Sequence, residues 1–278
     1  MNKLSGFLML LPAIALIHNY PSPIIAQNIP PVAAMTKSSE PFNYDNYTAV
    51  LRTYVSDRGL VNYQQLQTNR QQLDAFNASV GAVTPQTYSS WTEKEKIAFL
   101  INAYNAFTLQ SIIDQNPIKK SIRDIPGVWK GKKWLIAGER KTLDDIEHRT
   151  LRQDFNEPRI HVALVCAAMS CPILRNEPYT AAELDTQLEE QMRKFIRSSQ
   201  GFRIEKGEGR VYLSAIFKWY GKDWQPSYIV EDKFTGTRSQ RAVLHFLSKY
   251  LPPSSRQYLE QGGYKISYLN YDWSLNRQ

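Results

Sequence analysis

A chain of 278 residues with 42% hydrophobic and 12% aromatic content carries too many core-forming side chains to be a disordered tail. Its formal net charge of +8 suits anionic partners. An expected export signal turns that charge away from nucleic acid and towards an anionic glycan, cell wall or peptide.

The chain opens with "MNKLSGFLMLLPAIALI". Lys3 precedes an apolar run from Phe7 to Ile17 that is too short to span a bilayer, and a small-residue cleavage point follows at Ala26. Residues 1–26 are expected to be a signal peptide and residues 27–40 a disordered leader. Residues 41–278 are expected to form a single domain. No later segment has the length and hydropathy of a membrane span. The expected product is an exported protein, periplasmic or secreted, with no integral membrane segment after cleavage.

Helical spacing of apolar residues predicts helices at "YDNYTAVLRTYVS" (44–56) and "YQQLQTNRQQLDAFNASV" (63–80). Thr92 and Glu95 form a capping-box pattern before "KIAFLINAYNAFTLQSIIDQ" (96–115). That helix is apolar nearly all round and should be central. "KWLIA" (133–137) predicts a short strand turning at Gly138. Thr142 is placed to cap "TLDDIEHRTLRQ", with Asp144 and Asp145 in its first turn. "RIHVALV" (159–165) reads as a buried strand, and "YTAAELDTQLEEQMRKFIRSS" (179–199) as an amphipathic helix capped by Thr180. A hairpin turns at Gly207–Gly209. Short helices follow at "SAIFKWYGKDW" and "SQRAVLHFLSKYL", and a tyrosine-rich strand and turn close the chain. Pro252-Pro253 and Gly262-Gly263 read as ordinary turns. The order predicts an α+β fold: a single domain with a helical N-terminal part and a small, mostly antiparallel sheet, cysteine-hydrolase-like if a cysteine is the nucleophile.

The chemistry concentrates in "RIHVALVCAAMSCP" (159–172), which holds both cysteines and His161. On one regular strand His161 and Cys166 would stand about 16 Å apart on opposite faces. The pair meets only across a sharp turn, or His148 takes its place. A strand ending near Val165 would put Cys166 at a strand-to-helix junction, facing backbone N–H groups that favour a thiolate and an oxyanion. A buried inert thiol is equally compatible with these residues. Cys166 and Cys171 could close a short disulfide loop. Together with His148 and His161 they would form a zinc set, although C-x4-C is a loose spacing. The favoured reading has no metal and no cofactor.

Asn102 and Asn105 lie three apart on the buried helix, where each must be hydrogen-bonded. Either orients an imidazole or pins a loop. Glu147 and His148 are chain neighbours and point in different directions on a regular helix. His245 reads as a packed helix histidine. The basic run Lys119–Lys141, with Trp129 and Trp134 inside it, is a solvated face or an anion site.

Five segments, "INAYNAFT", "TLDDIEHRTLR", "RIHVALVCAAMSCP", "YLSAIFKWYGKDW" and "NYDWSLN", resemble in this order the signature segments of the family catalogued as domain of unknown function 547. They span about Glu95 to Asn276. The resemblance implies an exported stand-alone domain of bacterial type, because plant members add a leucine-zipper-like coiled coil that this chain lacks. Several plant relatives have Ser-Ser-Pro where Ser170-Cys171-Pro172 stands here, while keeping the cysteine matching Cys166. The resemblance therefore implies no obligatory disulfide or zinc, favours Cys166 over Cys171, and supplies no mechanism.

The expected activity is that of a cysteine-dependent hydrolase or acyltransferase. Cys166 would be the nucleophile and His161 its base, with Asn105 or Asp272 orienting the imidazole. Asn102, Tyr104, Glu147, His148, Cys171 and Trp273 would line the binding site. The rival is a non-catalytic module that binds a glycan or peptide, and thiol–disulfide exchange or zinc binding comes third.

Overall fold

The computed structural model describes residues 42–278, so the expected signal peptide and leader lie outside the described residues. Helix α1 (Asp45–Tyr54) packs on α3 (Gln71–Ala82), and α2 (Tyr63–Thr68) and α3 pack on the long α5 (Glu93–Ile113). Residues 63–80 form two helices where one pattern was expected, with the break at Asn69 and Arg70. A short α4 (Pro85–Ser90) starts at Pro85 behind the Thr84 cap.

Helix α5 is the hub. Every residue from Ile97 to Ile113 is buried, so its neighbours enclose it on all sides. Its start follows from the sequence: the Thr92 hydroxyl accepts from Glu95 N, and the Glu95 carboxylate accepts from Thr92 N at 2.7 Å. Thr92→Ala is expected to cost about 1 kcal/mol. The melting temperature in a calorimeter would fall by roughly 2–4 °C.

Strand β1 (Trp134–Ile136) and the turn at Gly138 stand where expected, and β2 (Glu139–Lys141), which was not expected, pairs with β1 as a hairpin. Gly138 turns it with φ +81°, and a Cβ there would meet Pro85 Cγ at 2.6 Å, so only glycine fits. The Thr142 cap on Asp145 is present. The helix it opens widens into a π-helix over Asp145–Leu151 and ends as α6 (Arg152–Asp154). The Thr150 hydroxyl donates to the Asp145 carbonyl five residues back.

"RIHVALV" is not a strand. Pro158–Val162 is a 3-10 turn, followed by irregular backbone. The physical reason lies in α5: Asn105 Nδ2 donates to the Ala163 carbonyl at 2.9 Å, and Val165 N donates to Asn105 Oδ1 at 2.8 Å. A helix side chain satisfies the backbone that a neighbouring strand would otherwise have paired. Helix α7 (Leu184–Arg197) starts three residues later than a Thr180 cap predicts. Gln187 takes up the intervening backbone, accepting from Thr180 N and donating to the Pro178 carbonyl.

The second half builds a smaller core. Strands β3 (Phe202–Glu205) and β4 (Arg210–Leu213) form the expected hairpin. β5 (Lys265–Tyr268) adds to β4 in parallel, with Val211 opposite Ile266. Helices α8 (Ala215–Tyr220), α9 (Gln225–Tyr228), α10 (Arg238–Ser248) and α11 (Pro253–Gln261) complete it around Trp224 and Phe246. Pro253 opens α11 where an ordinary turn was expected, because proline suits a first helical position. The fold is α+β, as the element order implied. Among the described residues no helix is long and apolar enough to cross a membrane.

Candidate functional site

The last eight residues create the site. Met169 N donates to the Ser274 carbonyl, Ser170 N to the Asp272 carbonyl, and Asn276 N to the Ala167 carbonyl. The tail thereby lies along the Cys166–Cys171 loop. Asn276 anchors it from the other side, accepting from the Tyr63 hydroxyl at 2.6 Å. This strap places Tyr271 and Trp273 over a cavity of about 330 Å³.

Four aromatic rings surround the mouth. Trp219 and Trp273 lie 5.8 Å apart at 28°, Tyr271 is 4.6 Å from Trp273, and Trp129 meets Trp273 edge-on. Trp219 is 46% exposed, unusual for so large an apolar side chain. The π-helix and the residue before it supply the polar floor: Asp144, Glu147 and His148 all line the cavity. A π turn is wider than an α turn, which lets the neighbours Glu147 and His148 reach one cavity. Such turns recur at functional sites.

Glu147 is buried and accepts from the Tyr104 hydroxyl at 3.0 Å, and the Tyr220 hydroxyl lies against the same carboxylate. Burial, and then the charge of Glu147, hold both phenols far above their ordinary pKa, so both act as donors. Burial and Glu147 raise Tyr271 in the same way.

A charged chain runs behind the floor. His161 Nε2 meets Asp223 Oδ2 at 2.8 Å, and Arg152 grips Asp223 with two nitrogens at 2.6 and 2.9 Å. Arg152 Nη1 also reaches His148 Nδ1 at 3.0 Å. A guanidinium only donates, so this Nδ1 is an acceptor and the His148 proton sits on Nε2, 3.7 Å from Asp144. Burial opposes ionisation of Asp223, but the hydrogen bonds from Arg152 and His161 outweigh it and hold the carboxyl well below the usual range. Tyr220 stacks on His161 at 4.1 Å and lies under the Arg152 guanidinium.

Cys166 and Cys171 are joined as a disulfide. Cys166 N donates to Cys171 Sγ, and the Tyr271 hydroxyl lies 3.2 and 3.1 Å from the two sulfurs. In this state Cys166 is neither a thiolate nor a zinc ligand. It also does not sit at a strand-to-helix junction, since neither element is present there. Among the described residues no group of three or more His, Cys, Asp or Glu is arranged to hold a metal ion.

The cavity gathers Tyr104, Glu147, His148, His161, Cys166, Cys171 and Trp273 of the expected site. Three expected residues lie elsewhere. Asn105 is committed to the backbone at 163 and 165. Asn102 pins the Tyr179 backbone through both amide atoms. Asp272 is exposed and caps Ser274 N at 2.9 Å. Neither Asn105 nor Asp272 orients an imidazole, and the carboxylate on His161 is Asp223. Sequence reasoning missed Asp223 and Arg152. The cue for Arg152 was its place four residues after His148; for Asp223 only the segment "YGKDW" hinted. The basic run divides: Trp129 and Lys130 line the cavity, whereas Trp134 stacks on Phe107 at 4.5 Å beneath Lys132. His245 is packed, with Nδ1 on the Tyr228 carbonyl.

Residues 88–196 match the family model described as "Protein of unknown function, DUF547". Over this stretch the chain is similar to that family, as its signature segments led us to expect. The stretch contains the hub helix, the π-helix and the disulfide loop. The matched residues therefore supply the floor of the cavity, while Trp219, Tyr220, Tyr271 and Trp273 in its wall come from the chain that follows. No curated protein and no solved structure matches the chain.

Proposed function

We propose that this protein is a glycan-binding module whose ligand enters the aromatic-walled cavity. The observation that carries this reading is the near-parallel pair Trp219 and Trp273 standing over a floor of carboxylates and an imidazole. A sugar ring has an apolar C–H face that lies on an indole and hydroxyls that donate to carboxylates. Pockets of this kind combine apolar walls with a few convergent polar groups. The disulfide supports binding over catalysis, because it leaves Cys166 without a nucleophilic thiolate. The basic exterior suits an anionic polymer such as cell-wall material, with the cavity taking one residue of it.

Trp219→Ala is the direct test. Half-exposed, it contributes little to the core, so the melting temperature should hold. Affinity for cell-wall oligosaccharides, followed by calorimetry, should fall about thirtyfold, the loss of roughly 2 kcal/mol expected when a central aromatic contact is truncated. A parent protein that titrates with none of these oligosaccharides would sink the reading.

A second reading applies to the reduced protein. Cys166 and His161 line one cavity, and His161 is already paired to a carboxylate. Reduction would leave a Cys166–His161–Asp223 set of nucleophile, base and orienter for a hydrolase or acyltransferase.

A further inference from the structure

Glu147 has no counter-charge. It is 7% exposed, and it accepts a hydrogen bond from the neutral phenol of Tyr104. Among the described residues no lysine or arginine nitrogen lies within 4.0 Å of it; its nearest basic atom is His148 Nδ1 at 3.9 Å. That nitrogen presents a lone pair, because Arg152 donates to it. Arg152 itself is taken by Asp223 in a two-point grip. Buried carboxylates are ordinarily paired with a cation, since an isolated buried charge is costly. Here the place of the cation opens into the cavity.

The walls suit a cation as well. Trp129, Trp219, Trp273 and Tyr271 line the space, and aromatic rings attract ammonium groups to their negative faces. Asp144 adds a second carboxylate; among the described residues its basic neighbours are His148 Nε2 at 3.7 Å and Lys130 at 3.8 Å, and the Lys130 side chain is 81% exposed. The cavity is thus acidic inside a protein of net charge +8.

We infer that the cavity selects a sugar carrying a free ammonium group, with Glu147 as its counter-ion and the indoles as its cage. This rests on the glycan-binding reading and names the ligand class. The amine forms a charge-assisted hydrogen bond to Glu147, while the ring lies on Trp219 and Trp273. A N-acetylated sugar keeps the ring but loses the charge, and its amide leaves Glu147 uncompensated.

The test compares two probes of equal length, a glucosamine oligomer with protonated amines and the fully N-acetylated oligomer. Binding is followed by tryptophan fluorescence and calorimetry. The expected result is a preference of about tenfold or more for the amine form. Glu147→Gln keeps the size of the side chain and an acceptor for Tyr104, and it should abolish the preference for the amine form. Asp144→Asn, at a less buried position, should reduce the preference without abolishing it, and serves if the Glu147 variant misfolds. Equal binding of both probes overturns the ammonium inference and leaves the glycan reading standing. Binding of neither probe overturns the ammonium inference, and the titration with cell-wall oligosaccharides then decides the glycan reading.

Discussion

Asp223→Ala is expected to be the most damaging single substitution around the cavity, with a loss of about 3 kcal/mol in urea unfolding. One carboxylate holds buried His161 and half-buried Arg152, and Arg152 in turn fixes His148. Its removal leaves the guanidinium without its counter-charge and the buried imidazole without its carboxylate in a low-dielectric setting. The same pair makes stability depend on acid. The folded pKa of Asp223 lies below its unfolded value of about 3.9. Its contribution is therefore complete above that value and is lost as the pH falls towards the folded pKa. Unfolding measured from neutral pH down to about pH 3 should show the parent losing stability through this window. Asp223→Asn, which cannot titrate, should start lower and decline less. Parallel profiles for the two proteins would mean that the His161–Asp223–Arg152 chain contributes nothing to folding.

The second large effect concerns the thiols. Site-resolved alkylation of the native protein should modify neither cysteine until a reductant is added, because the two sulfurs are bonded to each other. After reduction Cys166, the more exposed of the pair, should react before Cys171, which is 8% exposed. Opening so short a loop should cost about 2 kcal/mol of stability. Cys171→Ser frees Cys166 without reductant and should make it reactive at once. Rapid labelling of Cys166 in the untreated protein, well below the ordinary thiol pKa of about 8.5, would return the nucleophile to the site and put the hydrolase reading first.

Local chemistry wrote much of this molecule into its sequence. The Thr92–Glu95 box, the Thr142 cap and the glycine turns at 138 and 207–209 depend on neighbours within a few residues, and each stands where its pattern put it. Burial of α5 on every face was equally legible, since an all-round apolar helix has nowhere else to go. Tyr104, Glu147, His148, His161, Trp273 and the two cysteines were marked by residue type, and all seven line one cavity.

The tertiary structure decided how these residues work together. "RIHVALV" has the composition of a strand, but Asn105, some 60 positions away, supplies its hydrogen bonds, and it stays irregular. His161 takes its carboxylate from Asp223, 62 residues later, and no spacing rule connects the two. The aromatic mouth exists only because the chain's last residues lie along the cysteine loop through backbone bonds, which composition does not encode. Residue types and short-range caps are fixed by the sequence alone; the partner of each buried polar group is fixed by which distant backbone the fold brings within about 3 Å of it.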